Sequence, residues 1–159
     1  MKKEITKNLS WHYGRFFPFK KEIDENYKNI AVIGIGSNIG DAKKRFTKLY
    51  RLLQDDKRVR VVQTSPILKN PPFGYLEQDD FFNAVMVLQT SLSAIRLLRF
   101  LLHVENKFKR ERSFKNAPRT LDLDIIFFNT ARIMQKNLII PHPKFQERLS
   151  VLLPLAKIS

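Results

Sequence analysis

Residues 117–129 read A-P-R-T-L-D-L-D-I-I-F-F-N. Leu121, Leu123 and Ile125 alternate with Asp122 and Asp124, and the apolar run Ile125–Phe128 follows, a pattern that predicts a strand at 121–128 with a buried face. Residues two apart on a strand share a face, so both carboxylates project together, roughly 6–7 Å apart along the chain. That pairing suits hard cations held between a protein and a polyphosphate, because magnesium takes a few carboxylate oxygens and keeps phosphate and water for the rest. Two other readings stay open: an exposed edge with solvated aspartates, and neutralisation by Arg119.

The segment leading into this strand is basic. Lys107, Lys109, Arg110, Arg112, Lys115 and Arg119 stand against the single acid Glu111. A solvated helix end is one account of them, since cations suit the helix C-terminus. The other is a phosphate-binding half-site, in which Arg110, Arg112 and Arg119 complement the metal-binding half at Asp122 and Asp124. Glu105 falls at helical spacing from Leu98, Leu101 and Leu102 and is expected on their inward face, either paired with Arg110 or Arg112 or facing the site.

Further upstream, Ile30–Ile35 is a short apolar run that predicts a buried strand. Phe46, Leu49, Tyr50 and Leu53 predict an amphipathic helix over 41–54. Val59–Val62 starts another strand, and residues 69–80, K-N-P-P-F-G-Y-L-E-Q-D-D, predict a long surface loop. Phe81–Leu88 is a third strand, with Phe81 and Asn83 on one face as a stacking ring and a hydrogen-bonding amide. Ser91 or Ser93 caps a helix reaching Phe108, with Ile95, Leu98, Leu101 and Leu102 inside. Residues 144–152 predict a short final helix. The order strand-helix-strand-strand-helix-strand is that of an α+β, ferredoxin-like split βαβ fold, an antiparallel sheet with helices on one face. The other face is left for a ligand.

Gly34, Gly36 and Gly40 follow a strand, but a dinucleotide fingerprint would need glycine where the chain has Ile39. A tight turn carrying Ser37 and Asn38 is the expected use of these glycines. His142 lies in I-I-P-H-P, where Pro143 favours extended geometry and exposes the imidazole, in a structural or a functional role.

The 159 residues suit one domain at 29–159, preceded by an extension at 1–28 that is rich in aromatics but without clear periodicity. Lys and Arg number 29 against 15 Asp and Glu, a net charge of +14 that points to an anionic partner. There is no cysteine, which excludes thiolate metal sites, and no apolar run approaches a membrane span. A cytoplasmic protein without membrane contact is expected.

Taken together, these residues resemble the 6-hydroxymethyl-7,8-dihydropterin pyrophosphokinases of folate synthesis. The likeness runs from Ile30 to the C-terminus. It rests on P-R-T-L-D-L-D-I (118–125), supported by G-S-N (36–38), N-P-P-F-G (70–74), F-F-N-A (81–84), Glu105, R-E-R (110–112), P-H-P (141–143) and Arg148. The resemblance implies transfer of the β,γ-diphosphate of ATP to the pterin hydroxymethyl oxygen, with AMP released. It implies two Mg2+ ions on Asp122 and Asp124, and catalysis by these with Arg110 and Arg112. It places ATP on Glu105, Arg110, Arg112, Arg119, His142 and Arg148, and the pterin on Asn70, Pro71, Pro72, Phe73, Phe81 and Asn83. Loops near 37–42, 70–80 and 110–118 would close over ATP.

Three positions depart from the family pattern. Phe81 stands where Tyr is frequent, Ser150 where a second stacking aromatic is expected, and Asn116 where relatives carry Trp. A monomer is expected, with contact to other folate enzymes possible through residues 1–28; deleting that segment should leave turnover largely intact. An RNA-binding domain of the same topology is the main rival, but it would need a Lys/Arg-Gly-Phe type motif that this chain lacks, so no nucleic-acid partner is expected.

Overall fold

The protein is described from a computed structural model, over residues 1–72, 75–108 and 120–158. In chain order the elements are β1 (Lys2–Thr6), β2 (Leu9–His12), β3 (Phe19–Lys20), β4 (Asn29–Ser37), α1 (Ala42–Gln54), β5 (Val59–Thr64), β6 (Ile67–Asn70) and β7 (Phe81–Thr90). They continue with α2 (Ala94–Lys107), β8 (Asp122–Phe128), β9 (Ile133–Gln135), β10 (Leu138–Ile140), a 3-10 turn at Phe145–Glu147 and α3 (Leu149–Ala156).

The central strands run in the order β5–β7–β4–β8, all pairs antiparallel. With α1 and α2 as the crossovers, this is the ferredoxin-like arrangement that the alternation of periodicities predicts. The free edge of β7 is shared: β6 pairs with Phe81–Asn83, and β5 pairs with Met86–Thr90. A separate hairpin, β9–β10, lies beyond β8.

One face of the sheet is apolar and covered. Ala31, Ile33 and Ile35 of β4, Ala84, Met86 and Leu88 of β7, and Leu123 and Ile125 of β8 share one core with Phe46, Leu49 and Leu53 of α1 and Leu97, Leu101 and Val104 of α2. Each Ile, Leu, Val, Phe or Met among them contributes about 1.5–3 kcal/mol when fully buried. Both helices start where a side chain satisfies a free backbone N–H. The Asp41 carboxylate accepts from the Lys44 N–H, and the Ser93 hydroxyl from the Arg96 N–H. Each cap is worth about 1 kcal/mol.

Several expectations change. The buried stripe of α2 is Ala94, Leu97, Phe100, Leu101, Val104 and Glu105, whereas Ile95 and Leu98 are half-buried and Leu102 is 41% exposed. Both Leu97 and Leu98 fit a helical stripe, and Phe100 with Val104 decides the phase. Lys69 and Asn70 belong to β6 rather than to a loop, because Ile67 and Leu68 gain a full complement of core contacts there. The final helix is Leu149–Ala156, later than 144–152, with Pro154 inside it.

Residues 1–28 are woven into the same sheet. β2 pairs with β6 and β3 with β5, while Trp11 is 4% exposed and Phe17 is 2% exposed within the core. The Thr64 hydroxyl donates to the Phe16 carbonyl, and Phe16 stacks on Tyr50 of α1. Deleting residues 1–28 would therefore strip Phe17 from the core and uncover β5 and β6. Such a deletion tests stability as much as chemistry.

Candidate active site

Alternation on the strands sends every second residue to the face that α1 and α2 leave open. There, direct cross-strand partners form a row: Asn83 of β7 pairs with Gly36 of β4, and Gly36 pairs with Asp122 of β8. One step along the strands, Gly34 pairs with Asp124. Asp122 and Asp124 thus share a face, as their spacing predicts.

Gly34 and Gly36 lie within β4 rather than in a turn, which corrects the expectation for them; of these three glycines only Gly40 takes a positive φ, of 66°. Their use is space. A Cβ on Gly36 would come within 2.9 Å of Asn83 Oδ1, and one on Gly34 within 3.2 Å of Ile126 Cδ1. The two glycines therefore let Asn83 and Ile126 settle close over the backbone of β4, between the amide and the carboxylates.

Over this floor opens a cleft of about 700 Å3, the open solvent at its mouth included. Asn70, Phe81, Asn83, Asp122, Asp124, His142, Arg148, Ser150 and Val151 line it with Ile126 and the two glycines. Asn83 donates from Nδ2 to Asn70 Oδ1 at 2.6 Å, and Asn70 donates to the Pro71 carbonyl at 2.9 Å. This chain of amides holds the Asn83 side chain in one orientation.

His142 is anchored on both sides. Its backbone N–H donates to the Ile126 carbonyl at 3.0 Å, and its Nδ1 accepts from the Lys144 N–H at 3.2 Å. With Nδ1 accepting, the ring proton of the neutral form lies on Nε2. Burial, then Arg148 and Lys144, lower its pKa from the ordinary value, opposed by Asp122.

The loops after β4 and before β7 are tied together. Asn38 Nδ2 donates to Gln78 Oε1 at 2.8 Å and to the Asp79 carbonyl at 3.0 Å. Ser37 donates to the Thr120 carbonyl at 2.5 Å and accepts from Arg45 at 2.8 Å, which joins the end of β4 to the start of β8.

Glu105 is 2% exposed and does not line the cleft. Its Oε2 accepts from the Leu123 N–H at 2.7 Å, at the residue between the two aspartates. Sequence spacing placed it inside; the backbone N–H it reaches has no sequence signature.

Of the other expected site residues, Pro71 and Pro72 follow β6 but do not line the cleft, whereas Asn70, Phe81, Asn83, His142 and Arg148 do. Phe73, Arg110, Arg112, Asn116 and Arg119, with the loop at 110–118, lie outside the described residues. Among the lining residues, the additions include Gly34, Gly36, Ile126 and Val151. The glycines had a signal, since two glycines two apart within an apolar strand open one face without breaking the other.

Among the described residues, no group of three or more His, Cys, Asp or Glu side chains could cage a metal by itself. A pair of carboxylates beside an open cleft fits magnesium, which completes its shell with substrate phosphate and water.

Fold and cleft define the class: a ferredoxin-like α+β protein whose open sheet face carries a cleft lined by two carboxylates, with an arginine and an imidazole beside them. Comparison with known proteins specifies it further. The family described as 7,8-dihydro-6-hydroxymethylpterin-pyrophosphokinase matches residues 32–159. The 2-amino-4-hydroxy-6-hydroxymethyldihydropteridine pyrophosphokinase of Campylobacter jejuni is 52% identical over 144 residues, 91% of this chain and 92% of that protein. The enzyme of the same name from Helicobacter pylori is 44% identical over 146 residues, covering 89% and 88%. The bifunctional protein FolKE of Lactococcus lactis is 36% identical over 126 residues, 79% of this chain but 36% of that protein. The chain belongs to the hydroxymethyldihydropterin pyrophosphokinase family, and with it to the ATP-using transferases of folate biosynthesis.

Proposed function

We propose that the cleft over Gly34 and Gly36 is where the β,γ-diphosphate of ATP passes to the hydroxymethyl oxygen of 6-hydroxymethyl-7,8-dihydropterin. The oxygen forms a bond to the β-phosphorus, the bond from that phosphorus to the α,β-bridging oxygen breaks, AMP leaves, and the hydroxyl proton goes to water. The observation that carries this reading is that Asn83 and Asp122 flank Gly36 in one cross-strand row, an amide for a heterocycle beside a carboxylate for a cation.

The pterin would lie against Phe81, its edge read by Asn83 and Asn70, with Pro71, Pro72 and Phe73 on the adjoining segment. Because Asn70 already accepts from Asn83, the Asn83 carbonyl oxygen remains as an acceptor for a ring N–H or amino group. Asp122 and Asp124 would hold two magnesium ions, which when bound neutralise the polyphosphate and lower the pKa of the attacking hydroxyl.

Arg148 and His142 line the cleft, where the guanidinium and the Nε2–H would donate to phosphate oxygens. Neutral His142 serves as a hydrogen-bond donor without needing a second charge. Arg110, Arg112 and Arg119 would complete the phosphate site, with Arg110 and Arg112 on the transferring group. Glu105 supports the site from behind, by fixing the β8 backbone between the two aspartates.

The same reading makes the chain a cytoplasmic monomer with small-molecule substrates. No described helix is long and apolar enough to cross a membrane. The bifunctional relative supports contact with another folate enzyme.

The test is nucleotide product in the presence of magnesium, with and without 6-hydroxymethyl-7,8-dihydropterin. Pterin-dependent AMP without ADP is expected. ADP, or no turnover, would overturn the proposal. Arg112→Ala should lower kcat more than it raises the KM for pterin; the reverse would remove Arg112 from the phosphate site.

A further inference from the structure

The row through the cleft floor does not end at Asn83. Asn83 pairs with Leu68 of β6, Leu68 with Trp11 of β2, and Trp11 with Lys3 of β1. Direct cross-strand partners point to the same face, so Trp11 lies on the cleft side, two strands or about 10 Å from Asn83. It is nonetheless buried there.

What covers that part of the sheet is α3, which packs on β6 and β7. Its 8 residues reach about 12 Å, a span that matches the gap between the cleft and Trp11. Both ends of α3 are thereby assigned. At its start, Arg148, Ser150 and Val151 line the cleft. At its end, the Lys157 ammonium stands over the Trp11 ring, 5.4 Å from the centroid. That contact adds a cation–π attraction at the helix end where a positive charge already suits the dipole.

We infer that Trp11 is a positioning residue for the active site: it seats the far end of α3 and so sets the wall formed by Arg148, Ser150 and Val151. The inference rests on the proposed function for what that wall binds, but not for the seating itself. It gives residues 1–28 a task in the chemistry, as the ledge on which one wall of the cleft is mounted.

The test uses Trp11→Ala, Trp11→Phe and Lys157→Ala in the full chain. In ligand-free protein, the Val151 and Leu152 amides, which bond to the Arg148 carbonyl, should exchange with deuterium about tenfold faster in Trp11→Ala, with α1 amides unchanged. In turnover, Trp11→Ala should raise the KM for ATP or pterin about tenfold while kcat falls less than about twofold, and Trp11→Phe should restore most of it. Lys157→Ala, an exposed change that leaves the core intact, should move the same amides and the same KM to a smaller extent.

Unchanged α3 exchange in both Trp11→Ala and Lys157→Ala would overturn the inference. So would faster exchange with both KM values unmoved. If Trp11→Ala does not fold, Lys157→Ala and Trp11→Phe decide by the same readouts. Should the wild type form no AMP, the proposed function fails; α3 exchange, with the Kd for Mg-ATP in place of KM, then still decides the seating.

Discussion

The two faces of one sheet are made by the same strands and do opposite work. Facing the helices, β4, β7 and β8 present Ile33, Ile35, Ala84, Met86, Leu123 and Ile125, all buried. Facing the cleft, the alternate positions hold Gly34, Gly36, Phe81, Asn83, Asp122 and Asp124. Stability and chemistry are therefore interleaved one residue apart, so neighbouring substitutions should fall into separate classes.

The largest split is expected at β8. Asp122→Ala or Asp124→Ala should lower kcat for AMP release about 10^3-fold while the fold is kept, since each removes a carboxylate of the cleft face rather than a core side chain. Leu123→Ala, between them, should destabilise by about 2–5 kcal/mol in urea titration, with kcat of the folded fraction kept within a few-fold. If all three variants lost stability alike, the division into faces would break.

Glu105 tests where the faces communicate. Glu105→Ala leaves the buried Leu123 N–H without that acceptor and should cost about 1–3 kcal/mol. Glu105→Gln keeps an acceptor and should cost less than half of that. Gly36→Ala places a methyl against Asn83 Oδ1 and should raise the KM for pterin about tenfold, with little change in melting temperature.

The smallest effect concerns two histidines of the sheet, one on each face. His12, paired with Ile67 on the helix side, is held below its ordinary 6.5 by burial and then by Lys43, Lys2 and Lys69; His142, on the cleft side, is lowered by burial and Arg148. A lowered pKa means that the unfolded chain binds the proton more readily. The stability that each contributes is complete above 6.5 and is lost as the pH falls through the folded-state value. NMR titration should show Mg-ATP moving the His142 midpoint upward and leaving His12 in place; equal movement would erase the distinction.

Much of this was legible in the sequence, for reasons that follow the same division. The pattern Phe46, Leu49, Tyr50, Leu53 has no competing register, and α1 forms there with its Asp41 cap. The aspartate pair was legible because period two admits one arrangement. α2 was ambiguous because Leu97, Leu98, Leu101 and Leu102 support two phases, and only packing against the sheet chooses Leu97 over Leu98. β6 was obscured by Pro66 before it and by the polar loop after it. The strands in residues 1–28 were not legible, because edge pairing is set by what the rest of the sheet leaves free. Glu105 was placed inside by its spacing, while its partner, a main-chain N–H, carries no side-chain identity to read.

Ile126 gives β8 an asymmetry of its own. Opposite β4, Val32 pairs with Phe127 and Ile33 with Ile125, so Ile126 is an extra residue in the ladder. Its side chain fills the space over Gly34, and its carbonyl holds the His142 backbone. As a strand, β8 would alternate perfectly well without it. A one-residue deletion here would leave both aspartates and the core leucines in phase, yet remove the tether of the imidazole from the cleft wall. Deleting Ile126 would thus preserve the alternation of β8 while costing a side chain that is 1% exposed and the tether of the imidazole together, so fold and site both select for this one extra residue.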